Sequence, residues 1–180
     1  DERVFADYHQ LIKRLCIENL VQGLRVDHID GLYMPTAYLQ RLRQLVGKDT
    51  YIIVEKILEP EEMLPPHWTI HGSSGYDFMG LANQLFTSVS GMQQLDAIYE
   101  KFISEKMDYD ELIFEKKLFI LQRSFAGDLD NLMRLMEMQQ LIPDNDERSD
   151  HREALMYMMA AFPVYRVYIY RLPLDKLQLV

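Results

Sequence analysis

The sequence has 180 residues, of which 48% are hydrophobic and 26% are charged, a balance typical of a globular domain with a substantial core. Nineteen basic against 28 acidic side chains give a net charge of −9, which argues against nucleic acids and anionic membranes as partners. The only cysteine, Cys16, excludes an intrachain disulfide, and no signal peptide or membrane-spanning apolar run is recognised, so we expect a cytoplasmic protein.

Apolar residues recur at helical spacing from the start of the chain. The pattern predicts an amphipathic helix over residues 3–22, with Gly23 as its C-cap. His9 and Cys16 fall within this helix. We interpret both as packing residues, because a lone histidine or cysteine on such a helix is more often part of the core than a ligand.

Two short apolar runs that end in charge, at 23–33 and 51–58, flank a helical pattern over 35–46. They predict two buried parallel strands joined by a helix, a βαβ unit. The carboxyl ends of such strands emerge at the same edge of a sheet. Asp27 and Glu55 would therefore lie together at that edge.

The alternation of side chains along each strand sharpens this prediction. Arg25 shares a face with Asp27, and Ile53 shares a face with Glu55. A guanidinium beside Asp27 would hold that carboxylate ionised, as a nucleophile requires. Glu55 follows an apolar run, where a drier environment would raise its pKa and suit a general acid. Lys56 would point to the opposite face.

The rest of the chain is predicted to be a long loop followed by helices. The loop covers 59–76 and is rich in proline and glycine. Helices are predicted at 77–88, 91–106, 108–125, 127–141 and 148–161. Their methionines are interpreted as core filling rather than as a groove for a partner. Residues 162–170 alternate like a strand.

These elements predict an α/β fold that is predominantly helical. We divide the chain into a βαβ segment at 1–76, a helical subdomain at 77–161, and a return strand and tail at 162–180. The helical run departs from regular β/α alternation, so we interpret it as an insertion after the second strand.

Several segments together resemble one known family, the maltooligosyltrehalose synthases of the α-amylase clan of retaining glycoside hydrolases and transglycosylases. They are Gly-Leu-Arg-Val-Asp-His-Ile-Asp-Gly-Leu-Tyr at 23–33, Ile-Val-Glu-Lys-Ile-Leu at 53–58 and His-Gly-Ser-Ser-Gly-Tyr-Asp-Phe at 71–78. A further segment, Phe-Pro-Val-Tyr-Arg at 162–166, is also similar. The resemblance runs from about residue 5 to about residue 170.

The resemblance implies that the βαβ unit is a piece of a (β/α)8 TIM barrel. It implies that Asp27 is the nucleophile, Glu55 the acid/base and Arg25 the residue that orients Asp27. It also implies a set of substrate-binding residues: His28, Asp30, Tyr33, Lys56, Tyr76, Phe162, Tyr165 and Arg166. For Asp30 the alternative is a turn residue that bonds to nearby backbone N–H groups.

The loop at 59–76 holds further candidates for contact with sugars. Trp68 and Tyr76 could stack on glucose rings, and His67 or His71 could bond to hydroxyl groups. For Trp68 we favour the alternative that its ring seals the loop against the core. For Tyr76 we favour the sugar, because its Gly-Tyr-Asp-Phe setting is similar to the family.

The implied reaction converts the reducing-end α-1,4 linkage of a maltooligosaccharide to an α,α-1,1 linkage with retention. No metal or organic cofactor is expected. Members of the family are several times longer, and their third carboxylate would lie outside this chain, so the isolated piece is expected to be inactive. The alternatives are another glucan hydrolase or transferase of the clan, or a noncatalytic helical module. Strand edges left unpaired favour a homodimer of the piece.

Overall fold

The structure is a computed structural model that describes residues 1–103, 108–142 and 148–169. These residues group into two compact units. The first contains residues 1–87 and 166–169, and the second contains the described residues of 88–165. The second unit thus begins at residue 88, whereas we predicted that the helical subdomain begins at residue 77. No helix in the described ranges is long and apolar enough to cross a membrane.

The N-terminal pattern forms two helices, so the prediction of a continuous helix over 3–22 is wrong. Helix α1 spans Glu2–Tyr8 and helix α2 spans Gln10–Ile17, with the break at His9. The His9 ring donates to the carbonyl of Phe5 at 2.7 Å, and its other nitrogen bonds to the hydroxyl of Tyr38 at 2.9 Å. His9 is therefore a packing residue, as predicted.

Helix α2 ends before Gly23 because Asn19 adopts a left-handed conformation with φ of 55°. The N–H of Asn19 donates to the carbonyl of Cys16 at 3.1 Å, and that of Leu20 donates to Leu15 at 2.9 Å. This pair of bonds is a Schellman C-cap, for which asparagine is the usual substitute for glycine. Gly23 instead opens the first strand.

The predicted βαβ unit is confirmed. It consists of strand β1 (Gly23–Val26), helix α3 (Pro35–Val46) and strand β2 (Tyr51–Val54), and the two strands are parallel. Pro35 occupies the first turn of the helix, where its missing N–H leaves no bond unmade. Gly47 caps the end with φ of 84°, a conformation that glycine adopts without steric cost.

A short third strand was not predicted. Strand β3 (Gly72–Ser73) pairs in parallel with β2, inside the segment that we predicted to be a continuous loop. Among the described residues the sheet therefore has the order β1-β2-β3. Two residues, one of them glycine, carry no alternation of polar and apolar side chains, so the sequence offers no signal for this strand.

One face of the sheet forms the core of the first unit. Its buried cluster consists of Ile29, Leu39, Val54 and Trp68. Ile52 on β2 is fully buried, whereas Tyr51 is 53% exposed, which is the alternation of a half-buried strand. Strand β1 is more exposed than predicted, because in the described part of the chain it pairs on one side only.

The helices predicted between 77 and 161 are confirmed. They are α4 (Tyr76–Leu85) in the first unit and α5 (Val89–Ile103), α6 (Tyr109–Arg123), α7 (Ala126–Met138) and α8 (Arg148–Ala160) in the second. The second unit has its own buried cluster of Leu121, Leu129, Met156 and Ala160. Met133 is also fully buried, so the prediction that methionines fill this core is confirmed for Met133 and Met156. It is wrong for Met138 and Met158, which are 77% and 71% exposed.

The strand predicted at 162–170 is not present in residues 162–169, and residues 170–180 lie outside the described ranges. Pro163 has no N–H to donate to a ladder, which disfavours a strand at this point. Within the first unit, the guanidinium of Arg166 donates to backbone carbonyls of the loop after β1.

Candidate active site

Asp27 and Glu55 emerge together at the carboxyl edge of the sheet, as their spacing predicts. Each directly follows a strand, and the register places Val26 of β1 opposite Val54 of β2. The N–H of Glu55 donates to the carbonyl of Val26 at 2.7 Å, which extends the pairing by one residue. The pairing of the backbones therefore fixes the distance between the Cα atoms of Asp27 and Glu55.

Arg25 contacts both of these carboxylates. Its Nη1 lies 2.5 Å from Oδ1 of Asp27, and its Nη2 lies 2.9 Å from Oε1 of Glu55. The hydrogen bond to Asp27 raises the pKa of Arg25, with a smaller contribution from the charge of Glu55. The sequence predicted the contact with Asp27 but not the bridge to Glu55. A planar guanidinium can hold two acids at once, which a single ammonium does less well.

The two carboxylates differ in their surroundings. The side chain of Asp27 is 71% exposed, whereas that of Glu55 is 26% exposed. Glu55 is shielded between Arg25 on one side and the backbone of His28 on the other. The less exposed carboxylate is thus the one predicted to be the general acid.

His28 turns the chain directly after Asp27. It has a left-handed conformation, with φ of 46° and ψ of 51°, and is followed by a short 3-10 helix at Ile29–Gly31. Its N–H donates to Oε2 of Glu55 at 2.9 Å. Its imidazole is exposed and lies over Gly31, where a Cβ atom would be 2.8 Å from Cε1 of the ring.

Lys56 points away from Glu55 into a buried group of charges, as the alternation predicts. The residue is 2% exposed. Its Nζ lies 2.8 Å from Oε1 of Glu62 and 3.6 Å from Oδ2 of Asp30. Among the described residues the ammonium makes no well-aligned hydrogen bond, so charge attraction holds it. Burial raises the pKa of Asp30, and the nearby charge of Lys56 offsets only part of that effect.

The loop after β1 is also held from the far end of the chain. Arg166 donates to the backbone carbonyls of Asp30 at 2.6 Å, Leu32 at 2.5 Å and Tyr33 at 2.9 Å. The hydroxyl of Tyr168 donates to the carboxylate of Asp30. Arg166 therefore contacts the backbone of the loop, and the Tyr33 side chain remains 91% exposed.

The remaining predicted residues fall into two groups. Tyr76 begins α4 after Gly75, whose φ is 91°, and it lies near enough to Arg25 to contribute to the raised pKa of that guanidinium. Phe162 and Tyr165 lie in the second unit, where they are 43% and 74% exposed. Their contact with a substrate stays a prediction.

The other aromatic residues of the 59–76 segment serve the fold. Trp68 is 6% exposed and donates from Nε1 to the hydroxyl of Thr36 at 2.9 Å, which confirms that it packs in the core. His71 accepts from the N–H of Ile52 at 3.0 Å. His67 lies 3.4 Å from the same Thr36 hydroxyl.

Glu62 and Tyr168 also contact the buried Lys56, and neither was predicted to do so from the sequence. Glu62 belongs to a loop, where an acidic residue is ordinarily solvated. Its side chain is only 7% exposed and lies 2.8 Å from the buried ammonium of Lys56. No spacing in the sequence signals this pairing, since it depends on the path of an irregular segment.

Metal ligands are not gathered at this site. Across residues 1–103, 108–142 and 148–169, no three His, Cys, Asp or Glu side chains converge as a metal ion would require. The carboxylates of Asp27 and Glu55 instead share the guanidinium of Arg25. That the chemistry needs no cofactor stays a prediction.

Comparison with known proteins decides the family. The solved maltooligosyltrehalose synthase from Arthrobacter ramosus is 35% identical, with a TM-score of 0.82 over 94% of this chain and 21% of that one. The solved DSM5389 glycosyltrehalose synthase is 39% identical, with a TM-score of 0.76 over 97% of this chain and 22% of that one. The chain belongs to the maltooligosyltrehalose synthase family.

A third relative supports the same conclusion. It is a protein of Mycobacterium tuberculosis assigned as a maltooligosyl trehalose synthase, 36% identical over 137 residues, which cover 74% of this chain and 18% of that protein. No family model matches the chain. The chain spans about a fifth of the length of these three relatives.

Proposed function

We propose that this chain carries part of the catalytic centre of a maltooligosyltrehalose synthase. The enzyme would convert the reducing-end α-1,4 linkage of a maltooligosaccharide to an α,α-1,1 linkage, without release of glucose. The observation that carries the proposal is that Arg25 joins Asp27 and Glu55 at the ends of adjacent parallel strands. Two carboxylates at one edge are what a glycoside-cleaving site requires.

The reaction would proceed by double displacement. Asp27 attacks the anomeric carbon next to the reducing-end glucose, while Glu55 donates its proton to the departing oxygen. The cleaved glucose stays in the site and turns in place. Its anomeric hydroxyl then gives its proton to Glu55 and attacks the glycosyl-enzyme, which breaks the bond between Asp27 and the anomeric carbon. Two inversions give net retention, which requires the carboxyl groups to be about 5–5.5 Å apart.

The contacts of the site support this division of roles. Asp27 pairs with a cation and is the more exposed acid, which suits a nucleophile that stays ionised. Glu55 is the more enclosed acid, at 26% exposure, which suits a group that must exchange its proton with the substrate and not with solvent. We also propose that His28, Tyr33 and Tyr76, whose side chains can bond to or stack on sugars, bind substrate.

We further propose that β1, α3 and β2 are part of a (β/α)8 barrel. Parallel strands joined by a helix, with charged residues at their carboxyl ends, support this proposal. The exposed sheet face that carries Arg25 and Ile53 would then line the barrel interior. A third carboxylate would be supplied from outside this chain, so we expect the 180-residue segment alone to be inactive. A cytoplasmic location, and a homodimer of the segment through unpaired strand edges, stay predictions.

The experiment that tests the proposal is product analysis on maltopentaose with a full-length protein that carries this segment. We expect products with α,α-1,1-linked ends, and we expect Asp27→Asn and Glu55→Gln each to lower turnover by at least about a thousandfold. Glu61→Gln, at an exposed acid of the following loop, is the matched control and should leave turnover unchanged.

Other outcomes would support the alternatives. Free glucose without α,α-1,1-linked ends would indicate a hydrolase of the same clan. Full-length protein that binds maltopentaose but never turns it over would indicate a noncatalytic module. Either result would remove the proposed activity.

A further inference from the structure

We infer that Lys56, together with Glu62, is a positioning residue that fixes the turn over residues 28–31, so that the N–H of His28 meets Glu55. The inference rests on the proposed function, because it takes Glu55 to be the acid/base. It assigns to Lys56 a role in support of the site instead of contact with the sugar.

Two contacts join the turn at residues 28–31 to residues 55–56, directly after β2. One link runs from the N–H of His28 to Oε2 of Glu55 at 2.9 Å. The other runs from Oδ2 of Asp30 to Nζ of Lys56 at 3.6 Å. Glu55 and Lys56 are neighbours, and they contact His28 and Asp30 respectively. The two contacts lie on opposite faces of the sheet. A turn that is held at two points cannot rotate about either one.

Lys56 is too deeply buried to contact a soluble ligand. The residue is 2% exposed, and the side chains of its partners Glu62 and Asp30 are 7% and 13% exposed. Charges in such a place are little screened by salt, so their attraction is maintained. The ammonium therefore acts on the protein itself, and the 2.8 Å contact with Glu62 anchors it.

Arg166 and Tyr168 hold the same turn as well. Arg166 donates to the carbonyl of Asp30 at 2.6 Å, and Tyr168 donates to the Asp30 carboxylate. The ring of Tyr168 also lies over Lys56, with 5.6 Å between Nζ and the ring centroid. Lys56 therefore closes a network whose other members already hold the turn, and its loss should loosen the turn without removing every contact.

The test uses the full-length protein and two independent readouts. Lys56→Met keeps the apolar stem and removes the charge, and Lys48→Met at an exposed lysine is the matched control. For Lys56→Met we expect hydrogen exchange of the His28 amide to accelerate about tenfold or more. We also expect kcat on maltopentaose to fall about tenfold or more, with KM within about twofold. Lys48→Met should change neither quantity.

Glu62→Gln keeps the shape of the partner and serves if Lys56→Met does not fold; it should give the same two changes in smaller measure. Unchanged His28 exchange in both variants would overturn the inference. So would faster exchange with unchanged kcat, or an unchanged kcat with a KM raised about tenfold, which would mean that Lys56 contacts substrate. If the parent itself shows no turnover, the proposed function fails, while His28 exchange still tests the link to Lys56.

Discussion

The N–H of His28 lies 2.9 Å from Oε2 of Glu55, and the other oxygen of that carboxylate, Oε1, forms an ion pair with Nη2 of Arg25 at 2.9 Å. Both oxygens of Glu55 therefore have donors. To protonate a departing glycosidic oxygen, Glu55 must direct one oxygen at the substrate. The contact with His28 comes from the backbone, so we expect the Arg25 contact to be the one that is released, leaving the guanidinium on Asp27.

Replacement of Arg25 by lysine tests whether the bridge between the acids matters. An ammonium can approach one carboxylate but does not match two of them with a planar fork, so Arg25→Lys is not conservative here. We expect kcat on maltopentaose to fall about a hundredfold or more, because misplaced acids lose alignment with the anomeric carbon. The Arg25 side chain is 45% exposed, so the melting temperature should change little. A lysine variant with parental kcat would contradict the bridging role.

Replacement of Gly31 by alanine tests the role of the His28 ring. The added Cβ would lie 2.8 Å from Cε1 and 2.9 Å from Nδ1 of that ring. Because the ring is exposed, it should swing outwards while the backbone stays in place, at a cost of about 1 kcal/mol or less. If His28 bonds to sugar hydroxyls, KM should rise about tenfold with kcat nearly retained.

Gly80→Ala is the control for that experiment, since a Cβ atom there would meet nothing within 4 Å. It lies inside α4, where alanine favours the helix, so unfolding should require slightly more free energy. An unchanged KM in Gly31→Ala would show that the imidazole of His28 does not touch the substrate.

The part of the site that follows from local pattern was predictable. Asp27 and Glu55 were placed at one edge because strand alternation and the parallel βαβ connection determine where strand ends lie. Helix α3 was predicted to its ends because Pro35 and Gly47 are strong signals for a first turn and a C-cap. Local chemistry was sufficient for these features.

The features that were not predicted depend on contacts between residues distant in sequence, or on a residue that marks a helix end less clearly than glycine does. Asn19 occupies the left-handed position after α2 that glycine usually occupies, so the helix predicted over 3–22 extends past the observed end at Ile17. The pairing of Lys56 with Glu62 depends on the course of an irregular loop. Strand β3 exists because β2 offers a partner, and nothing in Gly72 and Ser73 indicates it.

Substitutions of Trp68 separate its packing role from a role in sugar binding. Its ring is 6% exposed and its Nε1 donates to Thr36, so Trp68→Ala should lower the free energy of unfolding by about 3–5 kcal/mol. Trp68→Phe keeps most of the apolar surface and loses the hydrogen bond, so its cost should be about 1–3 kcal/mol. Urea unfolding of the chain measures both. A loss below about 1 kcal/mol for the alanine variant would contradict burial in the core.

Burial of Asp30 predicts how stability depends on pH. Since the pKa of Asp30 in the folded chain is raised above the ordinary value of an aspartic acid, 3.8, the folded chain keeps a proton that the unfolded chain has lost. The contribution of Asp30 is therefore fully present below that value and is lost as pH rises through the folded pKa. Asparagine at position 30 cannot ionise. The unfolding free energy of the parent minus that of Asp30→Asn should therefore fall as pH rises over this window and then level off.

Asp77→Asn is the control of opposite sign, because the Ser73 hydroxyl lowers the pKa of Asp77 and its contribution to stability is lost as pH falls. Urea unfolding across the acidic range measures both differences, and a difference for Asp30 that grows with pH would show that Lys56 outweighs burial.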